Sequence, residues 1–177
     1  MTQNKVWLTE TEFFTVEGVE VITYKDHPKM RVSREDSKPA MGRAVRSLVL
    51  HTTMGAWPQA LVQGTPGPSP RAEGVVERWA RDGRSASTHL VIDTDGQIVQ
   101  CAPLLDRICF HARGRNEDSI GIEHVQKVYE KSAQRPSEVF RASIVSGARL
   151  IFGLLLLNHS RVRVIDPVLR ALRSEER

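Results

Sequence analysis

Hydrophobic positions change period along this chain, and the changes mark out its elements. Ser47-Leu48-Val49-Leu50-His51 is a short unbroken apolar run, the pattern of a strand covered on both faces. Similar runs recur at His89 to Asp93, Gln97 to Cys101, Arg107 to His111 and Ser119 to Val125. The first two of these flank Thr94-Asp95-Gly96, whose Asp-Gly pair predicts a hairpin. Helical spacing appears twice. Ala72, Val75, Val76 and Trp79 form one apolar face of a helix that Ser69 can cap and Pro70 can start. Phe140, Ile144, Ala148, Ile151, Phe152 and Leu155 run along one side of a longer helix from about Ser137 to Leu157. One further strand is expected at Val19 to Tyr24 and a last one at Arg161 to Ile165. This order predicts an α/β fold, a mixed central β-sheet flanked by helices.

Polarity divides the chain further. Residues 1–45 are polar around their single strand, and Lys25 to Gly42 reads as a loop with two prolines. They are expected to form an N-terminal arm, followed by one domain over 46–166 and a charged tail over 167–177. A chain of 177 residues can bury a real core within one such domain.

Composition narrows the partners. The net charge of +4 admits acidic ligands, but no lysine or arginine run reaches five, so the charge is spread over a solvated surface. Nucleic acid is not expected, because there is no helix-turn-helix cue, no cysteine-histidine finger and no aromatic-rich sheet motif. The most apolar stretch, Ile144 to Leu157, contains Arg149 and is shorter than the roughly 20 residues that span a bilayer, so it reads as a core helix. The first ten residues lack an apolar signal segment, which points to cytoplasmic synthesis and leaves the place of action open. Cys101 and Cys109 are too few for a disulfide framework or a zinc knuckle and are expected to be reduced and packed. A monomer is expected.

Candidate chemistry lies at the strand ends. Of the histidines, His51, His89 and His111 sit at the termini or edges of expected strands, where an imidazole can bind a metal or serve as a hydrogen-bonded structural residue. Glu123 ends the Ile120-Gly121-Ile122 run. It could exchange protons with water and a leaving amine, or pair with an arginine at the sheet edge. Gly121 removes a side chain where a backbone or ligand could approach closely.

These pieces, taken in order, resemble a known family. Leu48-Val49-Leu50-His51-Thr52-Thr53, then Ser87-Thr88-His89-Leu90-Val91-Ile92-Asp93-Thr94-Asp95-Gly96, then His111-Ala112, Asn116 and Ser119-Ile120-Gly121-Ile122-Glu123 follow one another as in the zinc N-acetylmuramoyl-L-alanine amidases. This is the amidase type 2 family, related to phage amidase endolysins and peptidoglycan recognition proteins. The resemblance implies a groove holding one zinc ion and hydrolysis of the amide between the lactyl group of N-acetylmuramic acid and L-alanine. It implies His51 as a zinc ligand and Glu123 as the catalytic acid/base, with Thr52, His111 and Asn116 lining the groove against peptidoglycan or a muropeptide. His89 looks like a residue supporting the site.

The pattern departs after the long helix. The family places a Gly-His there and a further ligand some eight to ten positions on, with a lysine just before it in some members. This chain instead reads Asn158-His159-Ser160, then Arg161 to Ile165 and Asp166-Pro167. Either His159 and Asp166 take the missing ligand positions, or the chain diverges before the second ligand. A separation of seven puts the two on opposite faces of a continuous strand, which favours divergence. The functional expectation is therefore a zinc amidase, with a degenerate, non-catalytic muropeptide-binding module as the alternative.

Overall fold

The structure, a computed structural model, describes residues 4–32, 37–40, 43–53, 72–82, 87–93, 95–125, 138–157 and 163–165. Ten strands and two α-helices are present among them: β1 (Lys5–Trp7), β2 (Phe13–Thr15), β3 (Val21–Thr23), β4 (Ser37–Pro39), β5 (Ser47–Thr53), α1 (Ala72–Asp82), β6 (Leu90–Ile92), β7 (Ile98–Gln100), β8 (Arg107–Cys109), β9 (Ser119–Val125), α2 (Glu138–Leu157) and β10 (Arg163–Ile165). The main sheet has six strands in the order β10-β5-β9-β6-β7-β3. Pairing is parallel except between β6 and β7, the expected hairpin, so the sheet is mixed.

Strand alternation splits this sheet into two buried faces. On one face Leu48, Leu90, Ile92, Ile120 and Ile122 pack with Leu150 and Leu154 of α2. On the other, Val91, Val99 and Val125 pack with Ala72 and Val76 of α1 and with Met30. The Leu90-Val91-Ile92 run is wholly buried because each face of β6 has a helix against it. Gly147 and Gly153 let α2 approach closely. A Cβ at 147 would lie 2.9 Å from His124 Cε1, and one at 153 would lie 2.8 Å from Phe14 Cε2.

The described part of residues 4–45 is built into this core. Val6, Val16, Val19 and Val21 join the cluster under α2, and β3 forms one edge of the main sheet. Buried Gln100 fastens β1 in place. Its Oε1 accepts the Trp7 N–H at 2.8 Å, and its Nε2 donates to the Trp7 and Ala102 carbonyls at 2.7 and 2.9 Å. Part of the segment expected as an arm thus contributes to the core through these valines and β3.

The expected cap of α1, Ser69 with Pro70, lies outside the described residues. Among the described residues, Asp93, just past β6, holds the helix start: its Oδ2 accepts the Ala72 N–H at 2.8 Å. Asp93→Ala is expected to cost about 0.5–2 kcal/mol, measured as a lowered urea midpoint with faster amide exchange in the first turn of α1. Unchanged exchange there would rule the cap out.

Candidate active site

β5 and β9 run side by side in the same direction, with His51 directly opposite Glu123. Residues paired across neighbouring strands share a face, so both side chains lie on the α1 side of the sheet. This is the face of Val125, opposite to that of Ile122. Ile122 and His124 turn the other way, and His124 meets α2 at Gly147. α1 itself packs over β6 and β7, and both His51 and Glu123 are only half-buried.

His111 joins them from the segment after β8, which ends at Cys109 rather than at His111 as its sequence pattern predicts. The ring of His111 rests on the backbone of β9 at Gly121, where an added Cβ would lie 2.5 Å from its Cγ. This is the close approach that the glycine allows. The ring meets His51 edge to face, with centroids 5.5 Å apart and Nδ1 at 3.3 Å from His51 Nε2. Its Nε2 lies 3.1 Å from Ser119 Oγ, which donates to the Arg115 carbonyl at 2.5 Å.

The loop carrying His111 is tied down from beneath. Asn116 Oδ1 accepts the N–H groups of His111 and Ala112 at 3.0 and 2.7 Å, so this oxygen shapes the loop. Arg43 clamps the same segment. Its Nη1 donates to the Asn116 and Ser119 carbonyls at 3.1 and 2.9 Å, and its Nη2 donates to the Leu104 carbonyl at 2.7 Å. His89 is fully buried under the site. Its Nδ1 accepts the Gly121 N–H at 3.1 Å, so its Nε2 carries the proton and donates to the Arg107 carbonyl at 3.0 Å. Its partners are the supporting kind that the sequence suggests.

Electrostatics follow from burial. Desolvation lowers the pKa of His51, and it pushes His111 down to about 4 with help from the neighbouring His51. His89 falls well below the ordinary range because of burial and the Arg43 charge. Desolvation alone raises the Glu123 carboxyl to about 7. The site therefore holds neutral imidazoles beside a carboxyl that can gain or lose a proton near neutral pH.

Of the residues proposed from sequence, the structure brings together His51, His111 and Glu123, with Asn116 behind the loop. Thr52 pairs with His124 along β5 and β9. His159 and Asp166 lie outside the described residues. Among the described residues no group of three or more His, Cys, Asp or Glu side chains could hold a metal ion. The donor chemistry of His51 nevertheless suits zinc, which binds neutral imidazole nitrogen held in a rigid frame. Arg43 and Ser119 were not singled out from the sequence. Ser119 sits at the period-two position before Gly121 and Glu123, and that spacing could have found it; Arg43 acts on backbone carbonyls and leaves no such trace.

The profile of the N-acetylmuramoyl-L-alanine amidase family matches residues 41–163. The chain belongs to that family. Among solved structures, PGRP-Hd from Alvinella pompejana aligns with a TM-score of 0.57 at 19% identity, over 84% of this chain and 86% of that one. The endolysin N-acetylmuramoyl-L-alanine amidase LysCS from Clostridium intestinale URNW gives 0.52 at 16%, over 82% and 80%. Drosophila peptidoglycan recognition protein SA gives 0.55 at 13%, over 82% and 80%. These likenesses establish a shared amidase-type fold, and the mixed sheet with its helices is the one they share. No curated protein matches the chain in sequence. Cys101 and Cys109 are both buried and unbridged in this amidase-family fold. Among the described residues, no helix is long and apolar enough to cross a membrane.

Proposed function

We propose that this chain is a peptidoglycan amidase that hydrolyses the bond between N-acetylmuramic acid and L-alanine, with the catalytic unit over residues 46–166. One observation carries the reading: Glu123, with its pKa near 7, stands directly opposite the neutral His51 at the ends of two parallel strands. In this reading Glu123 takes a proton from the attacking water and returns it to the departing amine. A group that titrates near the working pH can do both within one turnover. His51 would hold zinc, with His159 and Asp166 as the remaining candidate ligands. A bound zinc ion would supply Lewis acidity to the scissile carbonyl and to water. Asn116 keeps the His111 loop in place, and His111 borders the groove in which the sugar-peptide junction is proposed to lie.

The test is metal loading and hydrolysis of the full chain. Protein prepared with zinc is expected to retain roughly one ion per chain, to release the peptide amine from a muramyl peptide, and to lose that release when a chelator removes the metal. Failure to take up metal from excess zinc would overturn the reading. The departure from Gly-His after α2 favours a second reading, a non-catalytic muropeptide-binding module. Its mark would be calorimetric binding of a muramyl peptide that is indifferent to chelator and accompanied by no hydrolysis.

A further inference from the structure

We infer that His111 and Ser119 are positioning residues that set the tautomer of His51, placing its proton on Nε2 and leaving Nδ1 as the nitrogen available to a ligand. One chain of hydrogen bonds fixes where each proton lies. Ser119 Oγ has a single proton and gives it to the Arg115 carbonyl at 2.5 Å. Toward His111 it can therefore only accept, so the nitrogen 3.1 Å away, His111 Nε2, carries the ring proton. A neutral imidazole has one proton, which leaves His111 Nδ1 with a lone pair. That lone pair faces His51 Nε2 at 3.3 Å, so His51 Nε2 is the donor and His51 Nδ1 is bare.

The relay is built into the fold rather than being a chance contact. Gly121 is the only residue type that leaves room for the His111 ring, since a Cβ there would come within 2.8 Å of Nδ1 itself. Asn116 holds the His111 backbone, and Arg43 holds the carbonyls of Asn116 and Ser119. A histidine that binds a metal through one nitrogen usually donates its other N–H to a fixed acceptor, which orients the ring and raises its basicity. Here the acceptor is a second imidazole, which is in turn locked by a serine. What the bare Nδ1 serves rests on the zinc reading above; the direction of the relay does not.

The experiment separates the two. Metal-free ¹⁵N-labelled protein at pH 8, where ordinary imidazoles are neutral, is examined by two-bond ¹H–¹⁵N correlation. Both His51 and His111 are expected as Nε2–H tautomers. His111→Phe should abolish the preference at His51 and weaken zinc binding about 10–100-fold. His111→Asn, whose side-chain oxygen stands near the place of Nδ1, should retain both. Ser119→Ala should loosen the tautomer of His111 and, through it, that of His51. A proton on His51 Nδ1 in the unsubstituted protein would overturn the inference, as would an unchanged His51 tautomer in folded His111→Phe. If the tautomer follows His111 while no variant binds zinc, the relay stands and the metal reading falls.

Discussion

Replacing Glu123 by glutamine is expected to slow the proposed hydrolysis of the muramoyl–L-alanine amide about 10²–10⁴-fold, the usual contribution of a positioned acid/base. The same change should make the metal-free fold more stable above neutral pH. The sign follows from burial. The folded carboxyl titrates at about 7, above its ordinary 4.5, so the fold prefers the protonated form. That preference contributes fully below pH 4.5 and is lost as pH rises through about 7, amounting to on the order of 3 kcal/mol by pH 8. Glutamine is neutral throughout and avoids the loss. Urea unfolding at pH 4.5, 6 and 8 should therefore show the two proteins close together at the lowest pH and diverging upward. Parallel curves would mean that Glu123 is not desolvated in the fold, and unaltered hydrolysis would remove it from the chemistry. An acid limb of opposite sign should persist in the variant. His111, depressed to about 4, contributes stability above its ordinary 6.5 that is lost as pH falls through 4.

Gly121→Ala is expected to destabilise the protein by about 1–3 kcal/mol and to part His111 from His51. The added methyl would sit 2.5 Å from His111 Cγ and 2.8 Å from both Cδ2 and Nδ1. The ring has little freedom to retreat, because its backbone is bound to Asn116 and its far nitrogen to Ser119. A His111→Ala background supplies the control. With the ring gone, the alanine at 121 should cost much less, and the coupling between the two changes should appear in a double-mutant cycle. Equal penalties in both backgrounds would show that something other than the ring occupies that space.

How much of this was legible beforehand differs from residue to residue. The main strands and both helices could be read because burial on both faces writes long apolar runs, and amphipathic packing writes helical spacing. His51 and Glu123 stood out as polar groups ending such runs, and Gly121 as a missing side chain within one. β1, β2 and β4 were missed, since three-residue strands around Val6, Phe14 and Lys38 carry no readable period. The integration of the N-terminal segment was missed for a related reason. It depends on scattered valines and on the amide of distant Gln100, and neither signals its partner in a linear sequence. The Arg43 clamp was invisible because its acceptors are backbone carbonyls, which every residue has. The His51–His111 contact needed coordinates, since it depends on a loop laid across a neighbouring strand.

That contact joins residues 60 positions apart, and the β5–β9 pairing beneath it spans a still longer stretch of chain. Parallel strands cannot meet through a tight turn, so their closure entropy is lost before any side chain on them gains a neighbour. During folding the hairpin of β6 and β7 can form early from local contacts, whereas the floor under His51 and Glu123 must wait for a distant encounter. The His111 loop and Glu123 lie within one short stretch of chain, and His51 is the member that must be brought to them from far away. A nascent or nicked polypeptide that has not closed β5 onto β9 has no paired imidazoles, so the His51–His111 contact arrives in one late step with the completed sheet.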